Sequence, residues 1–263
     1  MEAKKKFELT NDVIEIDGIT LHRIKALKDF SDVKSGDFGG WIEKEENLSQ
    51  MGDAWVYSNA KVYGNAKVFG NAKVRKNAKV YGNAVVCGDA KVYDNAWVYG
   101  KSKVFGNARI CNNVEVFGNA QVSDGAEISD NAVVFGNAEI YGNAQVYGNA
   151  RIYDNANVCG NVYIYGNALV YGDAKVFGNA EVFGNAEICG DAKVCDDADY
   201  IVFKNFWSSG RYFTWTKSNN MWSVGCFYGT GKELIEKAYA DSEKSGKEYE
   251  KIVRYVDSIL ADE

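Results

Sequence analysis

Every sixth residue from Val56 to Val194 is Val or Ile, 24 positions in succession with no insertion. Two residues before each stands a small residue, which is Ala except at Ser102, Val114 and Val162. The unit reads A-K-V-Y-G-N. Ala and Val alternate with Lys and Tyr, so a short strand turns the first pair to one side and the second to the other. Gly followed by Asn or Asp tolerates the positive φ that turns a chain sharply. A period of six holds no helix face at 3.6 residues per turn. Propellers and antiparallel barrels need longer strands and hairpin turns. A strand and a corner repeated without a gap describe a solenoid, and the fixed aliphatic column separates it from a low-complexity tract.

The pattern resembles the hexapeptide repeat of left-handed parallel β-helices, where a small residue follows the aliphatic one four positions later. Val62 with Ala66, Val68 with Ala72 and Ile140 with Ala144 show it. One departure is that Tyr or Phe stands where Gly usually follows the aliphatic residue in that family. The resemblance implies a mainly β chain, with a single-stranded parallel, left-handed β-helix over residues 42–198. Three hexads per triangular coil give about eight coils, stacked to roughly 40 Å at about 4.8 Å each. Ile42 and Leu48 fall in phase with the Ala column, so the prism is expected to begin near residue 42. At roughly 1.5–3 kcal/mol per buried aliphatic side chain, the inward column drives folding without disulfides.

Residues 1–41 read as a β-hairpin cap around Asp17-Gly18, covering strand edges that would otherwise recruit other chains. The stretch from Ile24 through Asp29-Phe30, Gly39-Gly40-Trp41 and Leu48-Ser49-Gln50 to Gly52-Asp53 resembles the opening of YdcK-like bacterial hexapeptide-repeat proteins. Residues 199–263 read as an aromatic-rich α+β module. Its hairpin closes at Lys217–Asn220, two capping boxes pair Thr230 with Glu233 and Ser245 with Glu248, and Tyr249, Ile252, Val253, Val256 and Leu260 share a helix face. Aromatic tails after such arrays resemble those of proteins commonly encoded by phages and prophages.

A hydrophobic share of 46% excludes a disordered chain, and no apolar run is long enough for a transmembrane helix. The start, MEAKKKFELTND, has no apolar stretch behind its basic cluster, so no signal peptide, and a soluble cytoplasmic protein, are expected. None of the six cysteines has zinc-knuckle spacing. The family resemblance puts acyltransferase activity first among enzymes, but that chemistry usually uses a His base and a loop protruding from the prism. The one histidine, His22, lies in the cap, and no loop interrupts the repeat. β-Helix enzymes related to carbonic anhydrase need three His ligands. Gly229-Thr-Gly231-Lys232 lacks the other residues of a phosphate loop. These features predict no enzyme activity, no catalytic residue, no cofactor and no metal.

Outward positions carry the remaining signal. Tyr63, Tyr81, Tyr99, Phe117, Phe135, Tyr153 and Tyr171 recur at every third hexad and form an aromatic ladder, shielding a corner or offering a docking surface. A second column, from Phe69 to Cys195, alternates large and small. Residues 56–110 carry ten Lys/Arg against Asp89 and Asp94, whereas 111–198 carry three against twelve acidic residues. Glu115, Glu127, Glu139, Glu181 and Glu187 fall at outward positions of the acidic half. With Trp207, Trp215 and Trp222 of the end module, these residues make the candidate interaction surface. The reading is a non-enzymatic phage-type inhibitor that occludes a protein partner, such as a host nucleic-acid-processing or defence complex. A self-assembling filament or virion protein is the alternative, and an acyltransferase comes third. Homo-oligomerisation along the prism is expected; membrane association is not, and direct nucleic-acid binding lacks a groove-reading element.

Overall fold

The computed structural model describes residues 5–261. From Trp55 to Val194 the chain forms 24 two-residue strands, each an outward residue followed by an inward Val or Ile. Strands three hexads apart pair in parallel, outward on outward and inward on inward, as Glu115 with Val133 and Val116 with Val134. Three parallel sheets result, wrapped as three faces around one core of Val, Ile and Ala. Face I runs through Lys61–Val62 to Glu187–Ile188, face II through Trp55–Val56 to Glu181–Val182, and face III through Lys67–Val68 to Lys193–Val194. The fold is mainly β, a parallel solenoid of about nine turns.

One turn more than expected comes from the start. Strand β3 (Phe38–Ile42), which follows β1 (Phe7–Ile16) and β2 (Ile19–Ala26), pairs in parallel with Lys61–Val62. Ile42 lies opposite Val62 and Leu48 bridges Val68, so both belong to the aliphatic column and not to the Ala column. Their partners lie farther along the chain than the regular three hexads, because the spacing between Leu48 and Ala54 is longer by two than the period allows.

Each corner needs the left-handed backbone. Gly118 sits at φ +71°, and a Cβ there would lie 2.9 Å from the backbone nitrogen of Gly136 in the next coil. Where Gly is replaced, the short polar residues Asp94, Asn112, Asp124, Asp130 and Asp154 take this conformation. Lys76, at φ +58°, is the exception with a long side chain. Beside one corner, Asn77, Asn95, Asn113, Asn131, Asn149, Asn167 and Asn185 form an unbroken ladder. Each Nδ2 donates to the next Oδ1 at 3.0–3.3 Å.

Both ends of the solenoid are closed by side chains. In the last turn the outward N–H groups of Glu181, Glu187 and Lys193 have no further coil to pair with. Asp197 Oδ1, Thr214 Oγ1 and Ser218 Oγ accept them at 2.8, 2.9 and 2.7 Å, one on each face. At the other end Lys6 Nζ donates to the carbonyls of Ala54 (2.8 Å) and Gly52 (3.3 Å), and Asn47 Nδ2 donates to those of Ala66 and Gly64. The β1–β2 hairpin extends face I with antiparallel strands.

The C-terminal module is a four-stranded antiparallel sheet of Tyr200–Lys204, Tyr212–Thr216, Met221–Val224 and Phe227–Gly229, against which α1 (Gly231–Asp241) and α2 (Glu243–Ala261) pack. Thr230 caps α1 in a capping box with Glu233. The second box differs from expectation. Ser242 Oγ accepts the N–H of Ser245 at 3.1 Å, so α2 starts at Glu243 and Ser245 lies inside it.

Lys6 is fully buried, and burial, opposed by the nearby Asp53 carboxylate, lowers its ammonium to about 8. An unfolded lysine keeps its proton to about 10.4, so between these values the unfolded chain binds more protons and stability rises with pH. Denaturant melts at pH 7.5 and 9.5 should show wild type gaining on Lys6→Met, on the order of 1 kcal/mol after allowance for solvent screening. A gap that stays constant with pH would contradict this burial.

Candidate functional site

Outward residues of face II stack by coil, and three consecutive ones are cations: Lys73, Lys91 and Arg109, paired strand to strand. Arg75, Lys76 and Tyr93 at the adjoining corner complete a groove of about 440 Å³. The N-terminal cap reaches this groove through Asp32. Its carboxylate accepts from Lys73 Nζ (2.7 Å), the Tyr57 hydroxyl (2.6 Å) and Arg75 Nη2 (3.0 Å). The bonds from Lys73 and then Tyr57 hold the Asp32 carboxyl well below the usual carboxylate range. Burial, then the bond to Asp32, pushes the Tyr57 phenol up to about 12. The Arg75 guanidinium lies 4.3 Å from the centre of the Tyr57 ring, and its buried Nε has no hydrogen-bond partner among the described residues.

Other cations of the groove are paired at its rim. Lys76 binds Asp94, and Arg109 Nη1 lies 2.5 Å from Glu127 Oε1. Lys91 stands exposed between Lys73 and Arg109, with no ion-pair partner among the described residues. The composition of the repeat marks this place: residues 72–77 read A-K-V-R-K-N, where Arg75-Lys76 replace the usual aromatic-Gly pair. That substitution was the available signal for the groove. Asp32, from outside the repeat, carried none.

Residues expected to form an interaction surface are dispersed. The ladder from Tyr63 to Tyr171 is continuous, with neighbouring rings parallel and 4.9–5.0 Å apart. None of its rings is exposed; Tyr63 is buried, and Tyr81, Tyr99, Phe117, Phe135, Tyr153 and Tyr171 are half-buried. The acidic residues divide among the faces: Glu115 and Glu187 on face I, Glu127 and Glu181 on face II, and Glu139 on face III. Glu115 accepts from the Tyr99 hydroxyl at 3.0 Å and Glu181 from that of Tyr165, while Glu187 accepts from Ser223 at 2.7 Å beneath the C-terminal module. Trp215 and Trp222 require correction as surface residues. They pair across the hairpin and are each 2% exposed, because their rings form the module's core. Trp207 is 66% exposed and lines an apolar depression with Phe203, Ile252 and Tyr255.

His22 lies on β2 opposite Val13, half-buried, with Nδ1 3.2 Å from the Thr10 carbonyl oxygen. That oxygen can only accept, so Nδ1 is the donor of this contact. All six cysteines are free, and among the described residues no cluster of His, Cys, Asp and Glu could hold a metal ion. No helix among them is long and apolar enough to cross a membrane.

A family model, the YdcK beta solenoid repeat, matches residues 144–160. A curated protein of Escherichia coli (strain K12), "Uncharacterized acetyltransferase YdcK", is 46% identical over 39 residues, which are 15% of this chain and 12% of that protein. A crystal structure of a Bacillus cereus protein described as a candidate acetyltransferase shares 13% identity over 72% of this chain and 92% of its own, with a TM-score of 0.22. The chain is YdcK-like in its hexapeptide repeat. The relative named an acetyltransferase overturns two expectations: that the chain is no enzyme, and that it is a phage-type inhibitor occluding a partner. The filament or virion alternative gains nothing from these matches.

Asp32 ties the cap to the groove, and its lowered carboxyl makes that tie sensitive to acid. A carboxylate held low in the folded state contributes stability above its unfolded value near 3.9, and the contribution is lost as pH falls toward the folded value. Thermal melts between pH 5 and 2 should therefore fall more steeply for wild type than for Asp32→Asn. Parallel curves would show that the Lys73, Tyr57 and Arg75 contacts do not hold in solution.

Proposed function

We propose that the chain is an acetyltransferase, moving an acetyl group from a thioester donor to a small amine or hydroxyl acceptor. The observation that carries this reading is the stretch of 39 residues, 46% identical, shared with a protein named an acetyltransferase. In such a reaction the acceptor nitrogen or oxygen bonds to the acetyl carbon as the C–S bond breaks. The acceptor's proton passes to a base and from it to the departing thiolate. His22 is the sole imidazole of the chain, and with Nδ1 engaged by the Thr10 carbonyl, Nε2 is the nitrogen assigned to take that proton. The cytoplasm is the compartment proposed, since a reducing medium suits six free cysteines.

Incubation of the full chain with acetyl-coenzyme A and a panel of amines and sugars, read by mass spectrometry, should return an acetylated acceptor. His22→Gln should lower the rate about 10²–10⁴-fold with an unchanged melting temperature. Wild-type protein that acetylates nothing would overturn the activity, and a fully active His22→Gln would remove His22 from it.

Self-association along the prism belongs to the same proposal. Face I presents Trp97, Val133 and Leu169 outward, and Trp97 is 38% exposed. Sedimentation should show an oligomer that Trp97→Glu dissociates; a monomer at high micromolar concentration would refute it.

A further inference from the structure

The groove on face II has features that packing alone does not explain. Lys73, Lys91 and Arg109 occupy directly paired positions on consecutive strands, an arrangement that is destabilising for like charges without a counter-anion. Asp32 serves Lys73 from one flank and Glu127 serves Arg109 from the other, which leaves Lys91 at the centre without an ion-pair partner among the described residues. Arg75 lies over the Tyr57 ring with Nη2 fixed by Asp32, so its guanidinium is already oriented. Lys76 takes a left-handed backbone that Gly, Asn or Asp fills at most other corners. A long side chain in that conformation carries a conformational cost, and such costs concentrate at ligand sites.

We propose that this groove binds the diphosphate group of a small molecule. Two oxygen-rich groups placed between Lys73, Lys91 and Arg109 would meet the unpaired ammonium and relieve the repulsion within the column. Charge-assisted bonds from Lys and Arg to phosphate oxygens are about twice as strong as neutral ones. The volume of about 440 Å³ leaves room beside a diphosphate for a ring against Tyr93. A long polyanion fits less well. Along the prism the cationic column ends at Glu127, and Asp53 and Asp89 line the adjoining depression, so a nucleic-acid backbone would run into carboxylates. The ligand is compact.

Titration calorimetry of the full chain in low salt, with inorganic pyrophosphate, ADP, coenzyme A, adenosine and a 20-base-pair DNA duplex, tests this. Pyrophosphate should bind once per chain, adenosine should not bind, and Lys91→Glu should weaken pyrophosphate at least tenfold. ADP or coenzyme A binding tenfold tighter than pyrophosphate assigns the diphosphate to a nucleotide ligand; equal affinities assign it to the free anion, and both support the site. Should Lys91→Glu fail to fold, acylation of wild-type lysines by an N-hydroxysuccinimide ester gives a second readout. Pyrophosphate should then protect Lys91 and leave the exposed Lys103 on face III reactive. No pyrophosphate binding, indifference to Lys91→Glu, no protection of Lys91, or preferential binding of the duplex would each overturn the proposal. Binding without acetyl transfer would leave the groove standing and remove only the activity.

Discussion

The fold depends on the backbone hydrogen bond from one coil to the next. Lys61 N–H reaches the carbonyl of Ala78 at 2.9 Å, Tyr63 that of Val80 at 3.1 Å and Asn65 that of Gly82 at 2.7 Å, and the pattern recurs up the prism. Such bonding requires equal coils. A slip of one residue would exchange inward Val for outward Lys along a whole face. Because the coils stay equal, each column stacks like on like: Val on Val, ring on ring at 4.9–5.0 Å, Asn amide on Asn amide. The left-handed corners make this possible. They turn the chain where neighbouring backbones approach too closely for most side chains.

A solenoid made this way cannot finish itself. Its last coil leaves N–H groups without carbonyls, and its first leaves carbonyls without donors, at the cost of a lost hydrogen bond for each buried group. The flanking segments supply the missing partners with side chains of opposite character. Oxygens of Asp197, Thr214 and Ser218 close the far end, and the nitrogens of Lys6 and Asn47 close the near end. A buried lysine is therefore tolerated because it replaces a missing strand, even though burial lowers its affinity for a proton. The same N-terminal segment carries Ser31 and Asp32 onto face II, both in contact with Lys73, so closing the prism and shaping the groove fall to one piece of chain.

The repeat was legible because its fold is dictated by a backbone period that the sequence prints without interruption. Where the period changed, legibility failed. The longer spacing between Leu48 and Ala54 moved Ile42 and Leu48 into the aliphatic column, and no count by sixes could show that. Trp215 and Trp222 were misplaced because an aromatic-rich sequence does not say which rings become a core. The missing repeat histidine argued against an enzyme, yet the repeat is a scaffold, and its composition does not bound the chemistry of segments beside it. The groove was half legible: Arg75-Lys76 broke the consensus in plain view, but assembling it needs the stacking of one coil on the next and a loop from the cap.

Charge along the prism is not sorted by face. Outward cations occupy the early coils of all three sheets, at Lys61, Lys67 and Lys73, and outward glutamates stand farther along each, at Glu115, Glu127 and Glu139, while face III returns to Lys175 and Lys193 at its end. No single acidic face exists for a large partner to read. On face II the change of sign takes one coil, from Arg109 to Glu127, and the two side chains bridge it directly. Below that bridge the column is cationic for three coils and then meets Trp55, an apolar plug packed edge-on against Phe7 and Phe30. The cationic segment is thus bounded by a carboxylate at one end and by buried aromatic surface at the other. Field focused in so short a groove favours a small anion over an extended one. The groove forms where the end cap meets the regular stack, a place specified by neither segment alone.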